Sequence, residues 1–305
     1  MPLFKHAHGR IEQIKEAPFK LEKEIQKIVE DNIPIIFKLQ FIKSEFTLNS
    51  LRIDTLAFDK DASSFVIIEY KKDRNFSVID QGMSYLSLML NNKAEFILEY
   101  NEHCNSSLKK ADVDWSQSKV IFISPRFTAY QVEAINFKDL PIELWEIHRF
   151  SNDTILLDQH KPSSSTASIK TVSQKSETVE TISKEIKSYT ENDHLEIAAD
   201  NIKELYQRFR ELVLSISSDI NVKVLHRWIS FKSESTITDV VIQKKTLKIL
   251  INAKKGKLND PKKIFNDVSK VGHWGKGDYQ IQIFDESNLE YIISLIRQTY
   301  KKIHA

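Results

Sequence analysis

The chain has 305 residues, of which 41% are hydrophobic and 28% are charged, and its formal net charge is +2. This length and composition are typical of a globular protein with two domains, and the near-neutral charge neither demands nor excludes nucleic acid. The single cysteine, Cys104, excludes an intrachain disulfide and a cysteine-rich zinc site. No apolar run approaches transmembrane length, and residues 1–10 lack the apolar core of a signal peptide. We therefore expect a cytoplasmic protein with no membrane partner.

The first helix is expected between Pro18 and Asn32, where apolar residues recur at three- and four-residue steps. Glu22 lies on a neighbouring face of this helix, where it is either a solvated charge or a group that points toward a site formed downstream. Ahead of the helix, His6 and His8 form an H-x-H pair. Such a pair near the chain start is more often made of ordinary surface residues than of metal ligands.

Two strands are predicted next, and polar groups follow the second. The first strand runs from Leu51 to Phe58 with Asp54 in its middle. The second is continuously apolar over residues 65–68, which is typical of a strand buried on both faces, and it ends in Glu69-Tyr70-Lys71. Because strand side chains alternate, Glu69 and Lys71 project to the same side. If the two strands pair as a hairpin, Asp54 can lie beside Glu69.

Two carboxylates and a lysine at the end of a buried strand are costly without a cation, because like charges repel and desolvation is unfavourable. Mg²⁺ and Mn²⁺ are held by carboxylates together with water and phosphate oxygens, and a nearby lysine can orient the attacking water. The pattern therefore predicts Asp54 and Glu69 as ligands of Mg²⁺ or Mn²⁺ and Lys71 as a catalytic residue. The E-x-K triplet alone fits a solvated strand end equally well; the preceding apolar run and Asp54 favour a site.

A helix is expected from about Ser77 to Asn91, and it places Gln81 and Tyr85 on one face because they are four residues apart. This spacing is equally compatible with a partly buried tyrosine beside a polar neighbour. Cations flank the predicted site and are candidate phosphate contacts, although an exposed strand cation is the ordinary alternative. These cations are Arg52, Lys72 and Arg74.

These motifs carry a family resemblance. Asp54 followed by Glu69-x-Lys71 resembles the PD-(D/E)XK nuclease superfamily, and Gln81-x-x-x-Tyr85 is similar to the Q-x-x-x-Y motif of its RecB-like branch. The segment from Glu69 to Leu86 looks like a bacterial nuclease family related to the NucS-type endonucleases. The resemblance covers roughly the first half of the chain, and Ile53 stands where the superfamily motif has proline.

The resemblance implies an α/β core of the restriction-endonuclease type, made of a helix, a β-meander, a helix and a further strand. It also implies metal-dependent hydrolysis of phosphodiesters, most often in DNA, in restriction, phage defence or repair. Gln81 and Tyr85 would then belong to the catalytic set. Glu22, from the acidic motif of the first helix, and the main-chain carbonyl of Tyr70 would be further metal ligands. The alternative is a non-catalytic nucleic-acid-binding or ligand-gated regulatory protein that retains the fold.

The rest of the first domain, residues 1–160, is predicted as a short strand from Phe96 to Tyr100, a buried strand from Lys119 to Ser124, a helix from Phe127 to Phe137 and an edge strand from Pro141 to Phe150. Glu143, Glu146 and His148 on that last strand are interpreted as its solvated positions rather than as metal ligands. Residues 161–190 are rich in Ser, Thr and Lys and predict a linker.

Residues 191–305 form the second predicted domain, an α+β unit. It is expected to contain a helix from Leu195 to Ile216, three strands over residues 222–253, a short helix from Asp260 to Val268, a strand from Tyr279 to Phe284 and a helix from about Ser287 to Ile303. The glycine-rich turn over residues 272–277 is not a phosphate-binding loop, because it lacks G-x-x-x-x-G-K-[ST] and precedes a strand.

Many lysines lie between Lys244 and Lys263, and they are either a solvated basic edge or a patch that contacts phosphates. The candidate contacts are Lys254, Lys255 and Lys257, with Trp228 and Trp274 as stacking partners. The domain resembles a C-terminal domain of unknown function that is sometimes labelled "predicted transport protein", but no membrane segment supports transport. We expect it to recognise DNA or a partner, or to gate cleavage. A homodimer would suit double-strand cleavage.

Overall fold

The computed structural model describes residues 2–72, 77–137, 139–161, 182, 184–272 and 275–304. Arg74 and Trp274, two of the predicted nucleic-acid contacts, lie outside these residues. The chain divides into two compact units, Met1–Lys187 and Ser188–Ala305, and each unit has its own hydrophobic core. Within the described ranges no helix is long and apolar enough to cross a membrane.

The first unit is built on a mixed sheet whose six strands are adjacent in the order of the chain. They are β3 (Gln40–Leu48), β4 (Leu51–Asp59), β5 (Ser64–Tyr70), β6 (Lys119–Ser124), β7 (Ile142–Arg149) and β8 (Ile155–His160). Strands β3, β4 and β5 form an antiparallel meander, β6 and β7 continue parallel to β5, and β8 is antiparallel. Every residue of the central strand β5 is buried, which accounts for its continuous apolar sequence.

A separate two-stranded hairpin precedes this sheet, and helices cover both of the sheet's faces. The hairpin strands are β1 (Leu3–Ala7) and β2 (Arg10–Ile14), and the helices are α1 (Glu22–Glu30), α2 (Ile33–Ile36), α3 (Val78–Asn91), α4 (Lys93–Cys104) and α5 (Ala129–Ala134). Alternate residues of β5 enter different cores: Phe65 and Ile67 pack on the side of α3 and α4, whereas Val66 and Ile68 pack on the side of α1.

Helix α3 is positioned by its cap and by a close approach to the sheet. The Ser77 side chain accepts a hydrogen bond from the Asp80 amide at 3.2 Å and so caps the first turn. Gly82 faces the sheet, and a Cβ atom built there would lie 2.5 Å from Ile142 Cδ1. The absence of a side chain at Gly82 therefore lets α3 lie low on the sheet, which brings the neighbouring Gln81 to the end of β5.

Two strands predicted in this unit differ from the structure, one in its type of secondary structure and one in its position in the sheet. Residues 96–100 belong to helix α4, not to a strand. Phe96 and Tyr100 are buried while Leu98 is 58% exposed, which fits a helical period and not the shared face that a strand would give these three residues. The predicted edge strand β7 lies between β6 and β8, because Ile155–His160 adds an unpredicted strand at the edge.

The second unit is an antiparallel six-stranded sheet with helices, so the predicted fold class of an α/β unit followed by an α+β unit is confirmed. Its strands are β9 (Asn221–Val224), β10 (Ile229–Lys232), β11 (Thr236–Ile242), β12 (Leu247–Ile251), β13 (Asn266–Asp267) and β14 (Tyr279–Ile283). Its helices are α6 (Glu191–Leu195), α7 (Asp200–Leu214) and α8 (Leu289–Ile303). The strand order in the sheet is β13-β14-β12-β11-β10-β9.

Two elements of the second unit also differ from expectation. The predicted strand over residues 222–231 is a hairpin of two short strands. The predicted helix from Asp260 to Val268 is a series of turns followed by β13. The Asp260 carboxylate accepts hydrogen bonds from the Phe265 amide at 3.0 Å and from the Tyr291 hydroxyl at 2.7 Å. The first bond satisfies a backbone donor of the segment without a helical ladder, and the second fixes the carboxylate that accepts it, so both favour a turn.

Candidate active site

The pairing of β4 with β5 sets the positions of the two predicted carboxylates. Its paired register ends at Thr55 and Ile68, and continuing this register by one residue places Asp54 across from Glu69, whose charge acts on it. Directly opposite residues of an antiparallel pair project to the same face. Asp54 Oδ2 also accepts a hydrogen bond from the Tyr70 amide at 3.0 Å, which ties the end of β5 to β4.

Glu69 is buried and firmly oriented. Its side chain is 3% exposed, and its Oε1 atom accepts hydrogen bonds from Lys71 Nζ at 2.7 Å and from Gln81 Nε2 at 2.8 Å. Its other oxygen, Oε2, is buried and accepts no hydrogen bond from the residues that the structure describes. A buried carboxylate oxygen without a donor is costly, so this atom is suited to a ligand that carries positive charge.

Gln81 and Tyr85 form a chain of hydrogen bonds that crosses from β5 to β4. Gln81 Nε2 donates to the Tyr85 hydroxyl at 3.0 Å, and that hydroxyl donates to the main-chain carbonyl of Arg52 at 3.0 Å. Burial, followed by the charge of Glu69, raises the pKa of Tyr85, so the phenol stays protonated and remains a donor. Tyr85 is only 4% exposed, so its hydroxyl contacts Gln81 and the main chain of β4 rather than solvent.

Asp54 carries a charge that its surroundings disfavour. Burial and then the Glu69 carboxylate raise the pKa of Asp54 from 3.8 to about 6, against the lowering effects of the Tyr70 amide and of Lys71. The two carboxylates therefore carry more negative charge than their protein neighbours compensate.

The first-helix glutamate lies beside this pair but binds the backbone. Glu22 Oε1 accepts a hydrogen bond from the Lys72 amide at 2.8 Å. The amides of three consecutive residues at the end of β5 thus donate to Asp54, to the Ile123 carbonyl and to Glu22. Glu22 and Asp54 line a common cavity of about 470 Å³. The structure therefore brings Glu22 to the rim of the site, where its observed contact supports the turn after β5.

A polar network on the α1 side of β4 was missed by sequence reasoning. Gln26 is 7% exposed, and its Nε2 atom lies 3.2 Å from the Asp54 carbonyl, 3.1 Å from Ser44 Oγ and 3.0 Å from Glu30 Oε1. Thr55 Oγ1 donates to the same glutamate oxygen at 2.5 Å. A signal existed in the sequence: Gln26 lies four residues after Glu22 and next to Ile25, on the inward side of the helix.

The predicted phosphate contacts fall into two groups. Arg52 and Lys72 line the cavity beside Asp54; Arg52 Nε lies 3.0 Å from Glu45 Oε2, and Lys72 Nζ donates to the Lys20 carbonyl at 2.7 Å. In the second unit, Lys255 forms an ion pair with Asp267, whereas Lys254 and Lys257 are exposed. Trp228 is half-buried, and its indole nitrogen donates to Ser230 Oγ at 3.2 Å.

The residues of the site fit a hard divalent cation. Asp54, Glu69 and the Tyr70 carbonyl offer oxygen atoms only, which suits Mg²⁺ or Mn²⁺. Glu69 Oε2, which has no hydrogen-bond partner among the described residues, and the raised pKa of Asp54 both indicate negative charge that a cation would compensate. In the described part of the chain no three His, Cys, Asp or Glu side chains converge as a metal-binding group. A bound ion would therefore need main-chain, water or phosphate oxygens as well.

Solved structures with partial similarity to this chain include the following three. The EndoMS-dsDNA2 complex is 15% identical over 43% of this chain and 46% of that chain, with a TM-score of 0.26. A repair endonuclease from Pyrococcus abyssi is 17% identical over 43% of this chain and 49% of that chain, with a TM-score of 0.26. Pyrococcus furiosus SfsA in complex with Ca²⁺ is 14% identical over 50% of this chain and 76% of that chain, with a TM-score of 0.24. The chain spans about half the length of the first two proteins.

Two further matches concern the sequence itself. Residues 191–302 match a domain of unknown function, DUF5655. A protein of Haemophilus influenzae, described as uncharacterized, is 50% identical over 301 residues, which cover 99% of this chain and 100% of the relative. The chain therefore belongs to the same family as this Haemophilus influenzae protein, which it matches along its whole length.

Proposed function

We propose that the protein is a metal-dependent nuclease that hydrolyses phosphodiester bonds in DNA, with its active site at the end of β5. The observation that carries this proposal is the buried Glu69 carboxylate opposite Asp54, with one oxygen fixed by Lys71 and Gln81 and the other without a donor among the described residues. A structural ion pair has no need of a second carboxylate, or of a buried oxygen that lacks a partner.

The role of each residue follows from its contacts. Asp54, Glu69 and the Tyr70 carbonyl would hold Mg²⁺ or Mn²⁺, which when bound supplies a polarised phosphate and a water of lowered pKa. Lys71 projects to the same side as Glu69, where its ammonium can orient the attacking water and offset negative charge that develops on the phosphate. Gln81 keeps the Glu69 carboxylate turned so that Oε2 stays available.

The test is cleavage of plasmid, linear duplex and single-stranded DNA, with RNA alongside, in Mg²⁺, in Mn²⁺ and in EDTA. Wild type is compared with Asp54→Ala, with Lys71→Ala and with Lys110→Ala, a matched change of an exposed lysine in a short helical turn before β6. We expect metal-dependent cleavage in wild type and Lys110→Ala, and a loss of at least about 10³-fold in the other two, as for removal of groups that act in the transition state.

Binding of the metal gives a second readout that does not depend on cleavage. Titration calorimetry with Mg²⁺ should detect binding to wild type and Lys71→Ala but not to Asp54→Ala, because the lysine supplies no ligand. Absence of cleavage of every substrate, together with nucleic-acid binding that is unchanged in Asp54→Ala and Lys71→Ala, would refute catalysis. That result would favour a non-catalytic binding protein that keeps the fold.

A further inference from the structure

The regular alternation of side chains breaks where β3 passes the candidate site. Ser44 contacts Gln26 of α1 at 3.1 Å, whereas Phe46 packs against Phe96 of α4 with ring centroids 5.2 Å apart. Residues two apart in a regular strand project to the same face, but these two lie on opposite faces of the sheet. The residue between them, Glu45, has a positive φ of 54°, which turns the strand over.

Strand β4 breaks its alternation at the same level. The register of β3 with β4 is continuous on either side of Glu45, and it leaves Asp54 across from it. On β4, Ile53 packs in the core with α3 and α4, whereas Thr55 hydrogen-bonds to Glu30 of α1. Irregular steps of this kind redirect side chains and are common beside active sites. Two acidic residues therefore occupy the one step at which both strands lose their alternation.

Glutamate is an unfavourable residue for this backbone position. Positive φ is costly for residues with a side chain, and glycine, asparagine and aspartate are the residues that adopt it most readily. The Glu45 side chain is 33% exposed and reaches the cavity that Asp54 lines. A backbone outlier at such a place indicates a functional requirement. The contacts of the Glu45 carboxylate show what that requirement is.

This carboxylate holds one side of an arginine. Glu45 Oε2 lies 3.0 Å from Arg52 Nε. On its other oxygen, Oε1, Gln26 Nε2 lies at 3.5 Å and Lys23 Nζ at 3.8 Å. The main chain of Arg52 is held as well, because its carbonyl accepts a hydrogen bond from the Tyr85 hydroxyl at 3.0 Å. Both the backbone and the side chain of Arg52 are therefore fixed by contacts within the site.

The terminal amino groups of Arg52 point to a ligand. Glu45 contacts Nε, and within the described ranges neither Nη1 nor Nη2 has a partner. The side chain is 65% exposed and lines the cavity beside Asp54. The two Nη groups of a guanidinium match two oxygens of a phosphate in a planar, bidentate geometry. Because Arg52 is two residues from Asp54, about 7 Å along the strand, it is suited to a phosphate next to the cleaved one.

We propose that Glu45 is a positioning residue that orients Arg52 to bind a phosphate of the nucleic-acid substrate beside the cleaved bond. This inference rests on the proposed nuclease function and adds how the substrate is held. An exposed ion pair that served stability alone would contribute little, and it would not need a residue at positive φ. Here the pair limits the rotation of an exposed arginine, so less entropy is lost when a phosphate binds.

The experiment is a double-mutant cycle on the full chain, with Arg52→Gln, Glu45→Asn and the combined variant. Asparagine tolerates positive φ, so Glu45→Asn removes the carboxylate without straining the backbone further. Binding of fluorescein-labelled duplex and single-stranded DNA is measured by anisotropy in EDTA, between about 50 and 200 mM salt. KM and kcat are then measured in Mg²⁺. The control is a cycle of Arg208→Gln and Glu211→Gln, an exposed pair of α7 at 3.7 Å.

Arg52→Gln should weaken binding about tenfold and lower the slope of log affinity against log salt by about 1, as for loss of one phosphate contact. Arg52→Lys keeps the charge but not the fork, so it should weaken binding and keep the slope. Glu45→Asn should raise KM when Arg52 is present, because the guanidinium loses its orientation. In the Arg52→Gln background it should instead lower KM, because it then only removes a charge that repels phosphate. The two effects should differ about tenfold, with kcat changed less than KM and Tm not lowered. The control cycle should show none of these effects.

The outcomes separate this inference from the proposed function. If wild type cleaves DNA while Arg52→Gln keeps the wild-type KM, affinity and slope, the inference is refuted and the nuclease stands. If Glu45→Asn has the same effect in both backgrounds, or lowers Tm without changing KM, Glu45 does not act through Arg52 and the inference is wrong. If both variants lower kcat alone, they act on the chemical step, which also overturns it. If wild type binds DNA without cleaving it, the proposed function fails while the binding cycle decides the inference; if it does neither, both fail.

Discussion

The substitution Asp54→Asn should stabilise the metal-free protein. The pKa of Asp54 is raised from 3.8 to about 6, and the difference of about 2 pH units means that the ionised carboxylate costs the folded state about 3 kcal/mol at neutral pH. Asparagine has no charge, and its side-chain oxygen can still accept the hydrogen bond from the Tyr70 amide. We therefore expect the free energy of unfolding to rise by about 2–3 kcal/mol, a gain that is characteristic of active-site residues selected for function.

The pH dependence follows from the sign of the shift. A carboxyl group with a raised pKa in the folded state binds a proton more readily there than in the unfolded chain. Its cost is fully present above the folded pKa of about 6, and it disappears as the pH falls toward the unfolded value of 3.8. As the pH falls from about 7 to about 4, the free energy of unfolding of metal-free wild type should thus rise relative to that of Asp54→Asn, until the two values agree.

Scanning calorimetry of the full chain in EDTA, at several values of pH, measures this difference in the transition of the first unit. Asp158→Asn, at an exposed position of β8, is the control and should show no such gain. Mg²⁺ at about 100 times its dissociation constant should then stabilise wild type by about 2.7 kcal/mol but leave Asp54→Asn unchanged. A variant that is no more stable than wild type at pH 7, or a difference that does not close at low pH, would refute the reasoning.

Three further substitutions test how the site is held. Gln81→Leu removes a donor from Glu69 and should lower kcat by about 10- to 100-fold, measured under saturating substrate; an unchanged kcat would contradict a positioning role. Gly82→Ala should lower stability in urea by about 1–2 kcal/mol, and Ile142→Val in the same chain should restore part of that loss because it removes the Cδ1 atom in the way. Gln26→Glu replaces the donor that, among the described contacts, bridges Glu30 and the Asp54 carbonyl. It should lower the free energy of unfolding by about 3 kcal/mol at pH 7 and by less near pH 5, where the new carboxylate is partly protonated. An equal loss at both values of pH would exclude an electrostatic cause.

The helices and strands that carry the site were predictable because their local signals agree with their burial. Strand β6 was predicted with its observed bounds, since KVIFIS is apolar, buried and followed by proline. Helix α3 was predicted to within a residue, since Ser77 caps its start. Residues 96–100 were assigned to the wrong class because a five-residue segment with four apolar residues fits the period of a helix or of a strand, and the exposure of Leu98 distinguishes the two.

The residues of the candidate site that lie on neighbouring strands of one hairpin could be predicted from the sequence. The residues that reach the site only through contacts between distant parts of the chain were harder to predict. Asp54 and Glu69 could be paired in advance because one hairpin joins them. The roles of Gln26 and Glu30 were missed, because a glutamine or glutamate on an amphipathic helix is usually solvated. Here the packing of α1 on β4 buries Gln26 against the Asp54 carbonyl and leaves Glu30 half-buried beside Gln26 and Thr55. The hairpin of β1 and β2 was missed although His8-Gly9 is a turn dipeptide, because its flanking residues do not alternate cleanly between apolar and polar.

The part of β4 around Asp54 is held from both faces of the sheet. Tyr85 from α3 donates to the Arg52 carbonyl, and Gln26 from α1 donates to the Asp54 carbonyl, two residues further along the strand. The cost of about 3 kcal/mol for the ionised Asp54 already includes the favourable bond from the Tyr70 amide, because that bond lowers the pKa of Asp54. The two neutral hydrogen bonds to the main chain of β4 contribute about 1 kcal/mol each, so together they offset a large part of this cost. The fold can therefore keep two repelling carboxylates in place without a metal, and under the proposed function a cation and a substrate would need little reorganisation of the site.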